Sequence, residues 1–243
     1  MKICAAQTRP VKGDIQRNIA NHKKLIDLAV LHGAGVIIFP ELSLTGYEPA
    51  LAKELATDKD DSRFDDFQTI SDTNEIMIGV GVPTKNGAGI CISMILFQPY
   101  KPRLVYSKKY LHPDEEAFFI SGQNFPVLTN DKSNIAIAIC YELSIPEHSE
   151  EAFNNGAVVY IASVAKPAAG VDKAVATLAG IAGQYAITVL LSNCLGFCDN
   201  FESDGRSSIW DNKGLLTGQL NDSDEGILII DTDTQEVIQK QYK

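Results

Sequence analysis

Three features of the chain predict an α/β fold. Short, wholly apolar runs of strand length alternate with amphipathic helical patterns, as where residues 36–39 follow the helical spacing of Ile15, Ile19, Leu25, Ile26 and Ala29. Reactive polar side chains stand at the ends of such runs rather than inside them, the usual place for chemistry in layered α/β folds. No repeat, low-complexity linker or break in composition divides the 243 residues, so one domain over 1–243 is expected.

Taken in order, residues 2–8 form a buried strand. Asp14 can cap a helix that stops at His32-Gly33, because a short acceptor side chain satisfies first-turn N–H groups and glycine tolerates the left-handed exit. Residues 36–39 make a short strand ending at Pro40-Glu41, and 50–73 read as a helix flanked by loops. Runs at 76–82, 90–97 and 103–107 are β-like, separated by turn signals at Asn86-Gly87 and Pro99 to Pro102. Ile135, Ile137 and Ile139 alternate with alanines up to Cys140. Ser144 and Glu147 have capping-box spacing around Pro146, so a helix should start there and stop at Asn154-Asn155-Gly156. A strand at 157–162, a small-residue helix capped by Asp172, a strand at 187–192, a loop at 193–205 and strands at 207–210 and 226–231 complete the pattern.

Composition narrows the partners. Apolar residues are 45% of the chain, enough for a full core, and the net charge is −10 from 21 basic and 31 acidic residues. Nucleic acid and anionic membranes attract clustered Lys and Arg, so neither is an expected partner. No run reaches the roughly 18–20 apolar residues that span a bilayer, and the opening MKICAAQT reads as a strand rather than a targeting segment. Five sparse cysteines fit free thiols in a reducing compartment, and the expected location is the cytoplasm.

Three strand ends carry chemistry: Phe39-Pro40-Glu41-Leu42 before Thr45-Gly46-Tyr47; Tyr106-Ser107-Lys108-Lys109-Tyr110-Leu111 before Glu115 and Gly122; and Ile139-Cys140-Tyr141-Glu142 before Pro146-Glu147. A thiol is only a few per cent thiolate at neutral pH and needs activation. A carboxylate can take its proton and return it to a leaving amine, while an ammonium and the N–H of Tyr141 can stabilise an oxyanion. Cys, Glu and Lys therefore suffice for attack on an amide or nitrile carbon. Spacing alone does not join residues so far apart.

In order and spacing, the three segments resemble the signature blocks of the nitrilase superfamily, the carbon–nitrogen hydrolases. Gly156-Ala157, Asn193 and Gly205-x-Ser207 before Trp210-Asp211 fit as well, so the resemblance spans nearly the whole chain. It implies a four-layer α-β-β-α sandwich that dimerises by stacking. It further implies Glu41 as base, Lys108 and the Cys140 nucleophile, an acyl-enzyme intermediate and no cofactor or metal, with Glu115 assisting Lys108. The sequence departs from the family's Arg-Ala-x-Glu-Asn-like stretch, reading Ile181, Ala182, Gly183, Gln184 and Tyr185 instead. Tyr141 stands where long nitrilases place Trp, which favours an amidase over a nitrile hydrolase.

The expected substrate is a small linear amide or carbamoyl compound, with Tyr47, Ser163 and Lys166 as substrate-binding candidates. A loop at 163–166 would line the acyl pocket, and Lys166 would select a carboxylate. Of the adjacent lysines, the family register selects Lys108, with Tyr106 and Tyr110 walling the site on its side of an extended segment. Acyl transfer to an amine, nitrile hydrolysis and an idle scaffold are the alternative functions. A cysteine ending an apolar strand is ordinarily an inert core residue, and Glu41 or Lys108 alone would read as a solvated or edge-strand charge. His148 offers a Cys–His dyad outside any recognised context. Cys194 and Cys198 lack the second Cys/His pair that zinc requires.

Overall fold

The computed structural model describes residues 1–87, 89–123, 127–129 and 134–242. Its first half contains β1 (Lys2–Gln7), α1 (Ile15–Leu31), β2 (Val36–Ile38), α2 (Ala52–Leu55), α3 (Asp65–Asn74), β3 (Met77–Asn86), β4 (Gly89–Phe97) and β5 (Leu104–Ser107). The second half runs through β6 (Val127–Thr129), β7 (Asn134–Ile139), α4 (Pro146–Asn154), β8 (Val159–Val164), α5 (Ala168–Tyr185) and β9 (Thr188–Asn193). It ends with β10 (Leu195–Cys198), β11 (Phe201–Asp204), β12 (Ser208–Trp210), β13 (Leu216–Gln219), β14 (Glu225–Asp231) and β15 (Val237–Tyr242).

Two mixed sheets result, ordered β15-β14-β1-β2-β3-β4-β5 and β13-β12-β9-β8-β7-β6, with β10 and β11 forming a separate hairpin. Strands β1, β2 and β3 are parallel in the first sheet, as are β7, β8 and β9 in the second. Side-chain alternation gives each sheet two apolar faces. Ile3, Val36, Ile38, Met94 and Leu96 meet Ile135, Ile137, Ile139, Val159 and Leu190 in a core between the sheets. The opposite face of the first sheet packs Cys4, Ile37, Ile78 and Ile227 against Ile15, Ile19, Leu25 and Ile26 of α1 and Phe67 of α3. That of the second packs Tyr160, Ala162, Val189 and Leu191 against Val171, Ala174 and Leu178 of α5. These three cores hold four layers together, the α-β-β-α order expected. Among the described residues no helix is long and apolar enough to cross a membrane.

Local signals worked where one residue decides the geometry. Asp14 Oδ1 accepts from Arg17 N at 3.0 Å, and Gly33 leaves α1 at φ +75°. They failed where a neighbouring segment supplied the start. Helix α5 begins at Ala168 because Pro167 O already accepts from Gly170 N and Val171 N, so Asp172 lies inside the helix and pairs with Arg206 at 2.9 Å. Helix α4 does start at Pro146, but Ser144 belongs to a 3-10 turn over Cys140–Ser144, and the cap residue is Ile145, without a side-chain bond. The 50–73 stretch splits into α2 and α3, with 3-10 turns at Pro49–Leu51 and Ser62–Phe64. The 193–205 stretch contains the β10–β11 hairpin rather than a plain loop, and Ser163 lies within β8. Strands β13 and β15 went unforeseen because they are largely solvent-facing edges without apolar alternation.

One close approach fixes the turn after β2. Phe39 N donates to Gly79 O at 2.9 Å, and Leu44 N to Gly81 O at 2.9 Å, pressing residues 39–44 onto β3. A Cβ on Gly81 would collide with the backbone of Pro40 and Leu42, whereas one on Gly79 would meet the side chains of Ile38 and Met94. Backbone cannot yield as side chains do. Gly81→Ala should therefore cost roughly 1–3 kcal/mol of stability, as overpacking does, and more than Gly79→Ala, with urea midpoints as the readout. Equal losses in the two variants would show that this contact does not constrain the turn.

Candidate active site

Glu41 enters the site because the turn that carries it is held from several sides. His22 stacks on Phe39 with ring centroids 3.9 Å apart, and its Nε2 lies 2.9 Å from Ser43 Oγ, which also accepts from Gly81 N. Asn18 Nδ2 donates to Leu44 O at 2.9 Å. From the second sheet, Ser163 Oγ donates to Phe39 O at 2.8 Å. Leu42, directly after Glu41, sits at φ +50°, a left-handed conformation unusual for a branched residue.

Lys108 follows β5 and extends its ladder by one bond, Lys108 N to Ile92 O at 2.8 Å. Its side chain is fully buried. The ammonium donates to Glu41 Oε1 at 2.8 Å and to Glu115 Oε1 at 2.7 Å. Glu115 is fixed in turn by Tyr47 OH at 2.9 Å and, on Oε2, by His112 N at 2.8 Å. Glu41 Oε2 is buried with no hydrogen-bond partner among the described residues. Lys109, by contrast, is half-exposed and lies 3.5 Å from Glu151 on the surface.

Cys140 is half-buried where β7 ends, at φ +46°. A side-chain-bearing residue held there costs about 1–3 kcal/mol, so surrounding contacts must enforce it. Glu142 is the main such contact. Its Oε2 accepts from Ile139 N at 2.8 Å and Tyr106 OH at 2.7 Å, and its Oε1 from Lys109 N at 2.6 Å. One buried carboxylate thus clamps the Cys140 turn to the segment bearing Lys108. This role of Glu142 is not evident from the sequence, where its place two residues after Cys140 is the signal that points to it. Tyr106 serves this clamp rather than walling a pocket beside Lys108, because its hydroxyl is committed to Glu142 and His148.

His148 does not form a dyad with Cys140. Its Nε2 meets Tyr106 OH at 3.0 Å and its Nδ1 meets Tyr160 OH at 2.9 Å, so both nitrogens are occupied inside the core. Burial depresses its pKa to about 4, leaving it neutral at pH 7.

Electrostatics follow from the burial of two carboxylates and one ammonium together. Desolvation raises the pKa of Glu41, opposed by the Lys108 charge and reinforced by Glu115. Desolvation would lower that of Lys108, but Glu41, Cys140 and Glu115 outweigh it and keep the ammonium charged. The Cys140 thiol is pushed up to about 11, by burial first and then by Glu41, against the pull of Lys166 and Lys108. The resting sulfur is therefore a thiol.

The remaining candidates surround this group. Tyr47 is half-buried and packs on Phe201, with ring centroids 5.8 Å apart. The side chain of Ser163 is turned to Phe39 O, within the strand. Lys166 is half-buried just beyond β8. His112 meets Tyr141 edge-on at 5.2 Å. Cys194 and Cys198 lie with sulfurs 3.5 Å apart under Tyr47, and no group of three or more potential metal ligands occurs among the described residues.

Comparison with known proteins gives the family and relates the fold to solved structures. A hydrolase in the agr operon of Staphylococcus aureus is 24% identical, covering 99% of this chain and 94% of the relative. A probable nitrilase of Schizosaccharomyces pombe is 22% identical over 99% of this chain and 92% of its own. The glutamine-dependent NAD(+) synthetase of Thermotoga maritima is 23% identical, and there the match takes 97% of this chain but 42% of the longer protein. Among solved structures, a mutant of the Nesterenkonia AN1 amidase from the nitrilase superfamily superposes with a TM-score of 0.85 at 24% identity, covering 95% of this chain and 91% of that one. Another form of that amidase carries the acetamide moiety of fluoroacetamide on its active-site cysteine, with a TM-score of 0.84, 24% identity and coverage of 95% and 90%. At that identity the structures speak for the fold. The profile of the carbon-nitrogen hydrolases matches residues 2–242, and the chain belongs to that family.

Proposed function

We propose that this protein hydrolyses the C–N bond of a small linear amide or carbamoyl compound through a thioester on Cys140. The observation that carries the reading is the buried Oε2 of Glu41, without a hydrogen-bond partner among the described residues, whose other oxygen is pinned by Lys108. A carboxylate so held has one oxygen left to accept a proton, and its raised pKa brings it nearer to the proton it must take. Because the thiol is neutral at rest, attack needs this base as the sulfur meets the carbonyl carbon.

The steps balance without an external reagent. Cys140 sulfur bonds to the acyl carbon while its proton passes to Glu41. The C–N bond then breaks, and Glu41 returns the proton to the departing nitrogen as ammonia or an amine. Water next attacks the thioester carbon as Glu41 takes one of its protons, the C–S bond breaks, and Glu41 returns that proton to the sulfur, releasing the acid and restoring the thiol. Lys108 spends two of its three N–H donors on Glu41 and Glu115, leaving the third for the oxyanion, which the N–H of Tyr141 would also stabilise. Glu115, held by Tyr47 and His112, keeps the ammonium from swinging away.

Mass spectrometry of the protein quenched during turnover of a short aliphatic amide should find the acyl group on the Cys140 peptide. Turnover without any acyl adduct, or an adduct on Cys194 or Cys198, would refute the thioester. The paired lysines test the rest of the arrangement. Lys108→Ala should lower kcat by at least ~10²–10³-fold, the scale for a lost oxyanion donor, with a native circular dichroism spectrum. Lys109→Ala should remain largely active, since among the described residues its ammonium meets Glu151 and the Tyr110 ring at the surface. The reverse ranking would show that the lysine assignment is off by one.

A further inference from the structure

We infer that Lys166 is the anchor for a carboxylate on the acyl part of the substrate, so that the preferred substrates are the ω-amides of short dicarboxylic acids. The inference rests on the hydrolytic reading above and gives it a substrate class.

Topology brings Lys166 to the reacting end of the second sheet. Strands β7 and β8 are parallel with Ile139 opposite Ser163, so Cys140 and the 164–166 segment leave the sheet on the same side. Ser163 Oγ ties that end of β8 to Phe39 O, two residues before Glu41. Strand β9 continues the set, with Val164 opposite Asn193.

The backbone of Lys166 is held on both sides. Its N–H donates to Asn193 Oδ1 at 2.9 Å and to Ser203 Oγ at 3.2 Å. Its carbonyl accepts from Asp204 N at 3.0 Å, from Asn193 Nδ2 at 3.1 Å and from Ser203 Oγ at 3.1 Å. Asn193 is itself braced by Gly205 O at 2.8 Å and Ser207 Oγ at 3.0 Å. A surface lysine has no need of such a fixed root. The side chain is half-buried, and among the described residues no carboxylate pairs with its ammonium. In a chain with 31 acidic residues, a half-buried lysine just beyond β8 with no carboxylate partner among the described residues is notable. Its charge reaches both Cys140 and Glu41, which supports its place beside them. The charge of Lys108 is already met by two carboxylates, and its third N–H is given to the oxyanion, so it does not hold a substrate carboxylate as well. Lys166, whose charge acts on Cys140 and Glu41, is available to do so.

Alkylation tests this without waiting for the natural substrate. Iodoacetate and iodoacetamide each form an S–CH2 bond at Cys140 and release iodide and a proton; they differ only in a carboxylate against an amide. The ratio of their rates at Cys140, followed by peptide mapping, should fall at least about tenfold in Lys166→Met, the scale of a hydrogen bond to a charged group, and recover in Lys166→Arg. In turnover, the same variant should raise KM for the monoamide of a four- or five-carbon diacid far more than for the matching unsubstituted amide. An unchanged ratio, or an equal fall with both reagents, overturns the carboxylate anchor while leaving the nucleophile in place. Failure of Cys140 to react with either reagent overturns the nucleophile reading, and this inference with it.

Discussion

A fully buried lysine ammonium held between two carboxylates organises the centre of this molecule. Removing a charge from water costs several kcal/mol, and the cost is recovered only when opposite charges and hydrogen bonds surround it closely. Lys108 meets that condition with contacts of 2.8 and 2.7 Å to Glu41 and Glu115. The demand propagates outward. Glu115 needs Tyr47 and the His112 N–H to settle its remaining capacity, and Glu41 needs a turn that delivers it from another strand. That turn in turn requires Gly81, Ser43 and His22. The turn after β2 and the segments that follow β5 are fitted to each other through this one cation.

The second carboxylate system has a different purpose. Glu142 accepts from the backbone on both sides of the gap between the Cys140 turn and the Lys108 segment, and it is buried with Tyr106 and His148. It holds Cys140 at a positive φ that an unassisted chain would avoid. In this account, one carboxylate works on the substrate and another on the backbone. Their environments decide which is which: Glu41 keeps an unpartnered oxygen, whereas both oxygens of Glu142 are engaged.

Much of the fold was legible because the parallel core strands are short apolar runs with reactive residues at their ends. Asp14 and Gly33 could be read singly, since each acts through its own backbone geometry. The α5 boundary could not, because Pro167 carbonyl bonds, set by the chain emerging from β8, preceded the Asp172 signal. Edge strands β13 and β15 carry little apolar pattern. Within the candidate site, the blocks placed Glu41, Lys108 and Glu115, which the fold brings into contact. Their sequence does not reveal that Tyr106 turns to Glu142, that His148 is locked between two tyrosines, or that Asn193 roots Lys166. Those are relations between strands distant in sequence, and only the folded chain states them.

The central claim is that Glu41 takes the proton of a neutral Cys140 thiol during attack, rather than the sulfur waiting as a thiolate. The rate of acyl-enzyme formation against pH, measured in a single turnover with a short amide, tests it most directly. A base with a raised pKa must be ionised to act, so the rate should fall as pH drops through a value above the ordinary carboxylate 4.5. It should then stay flat from about pH 7 to 9, because the thiol, pushed up to about 11, does not ionise there. Glu41→Gln should abolish that profile along with most of the rate. A rate that climbs about tenfold per pH unit across that window, tracking thiolate formation and surviving in Glu41→Gln, would contradict the account.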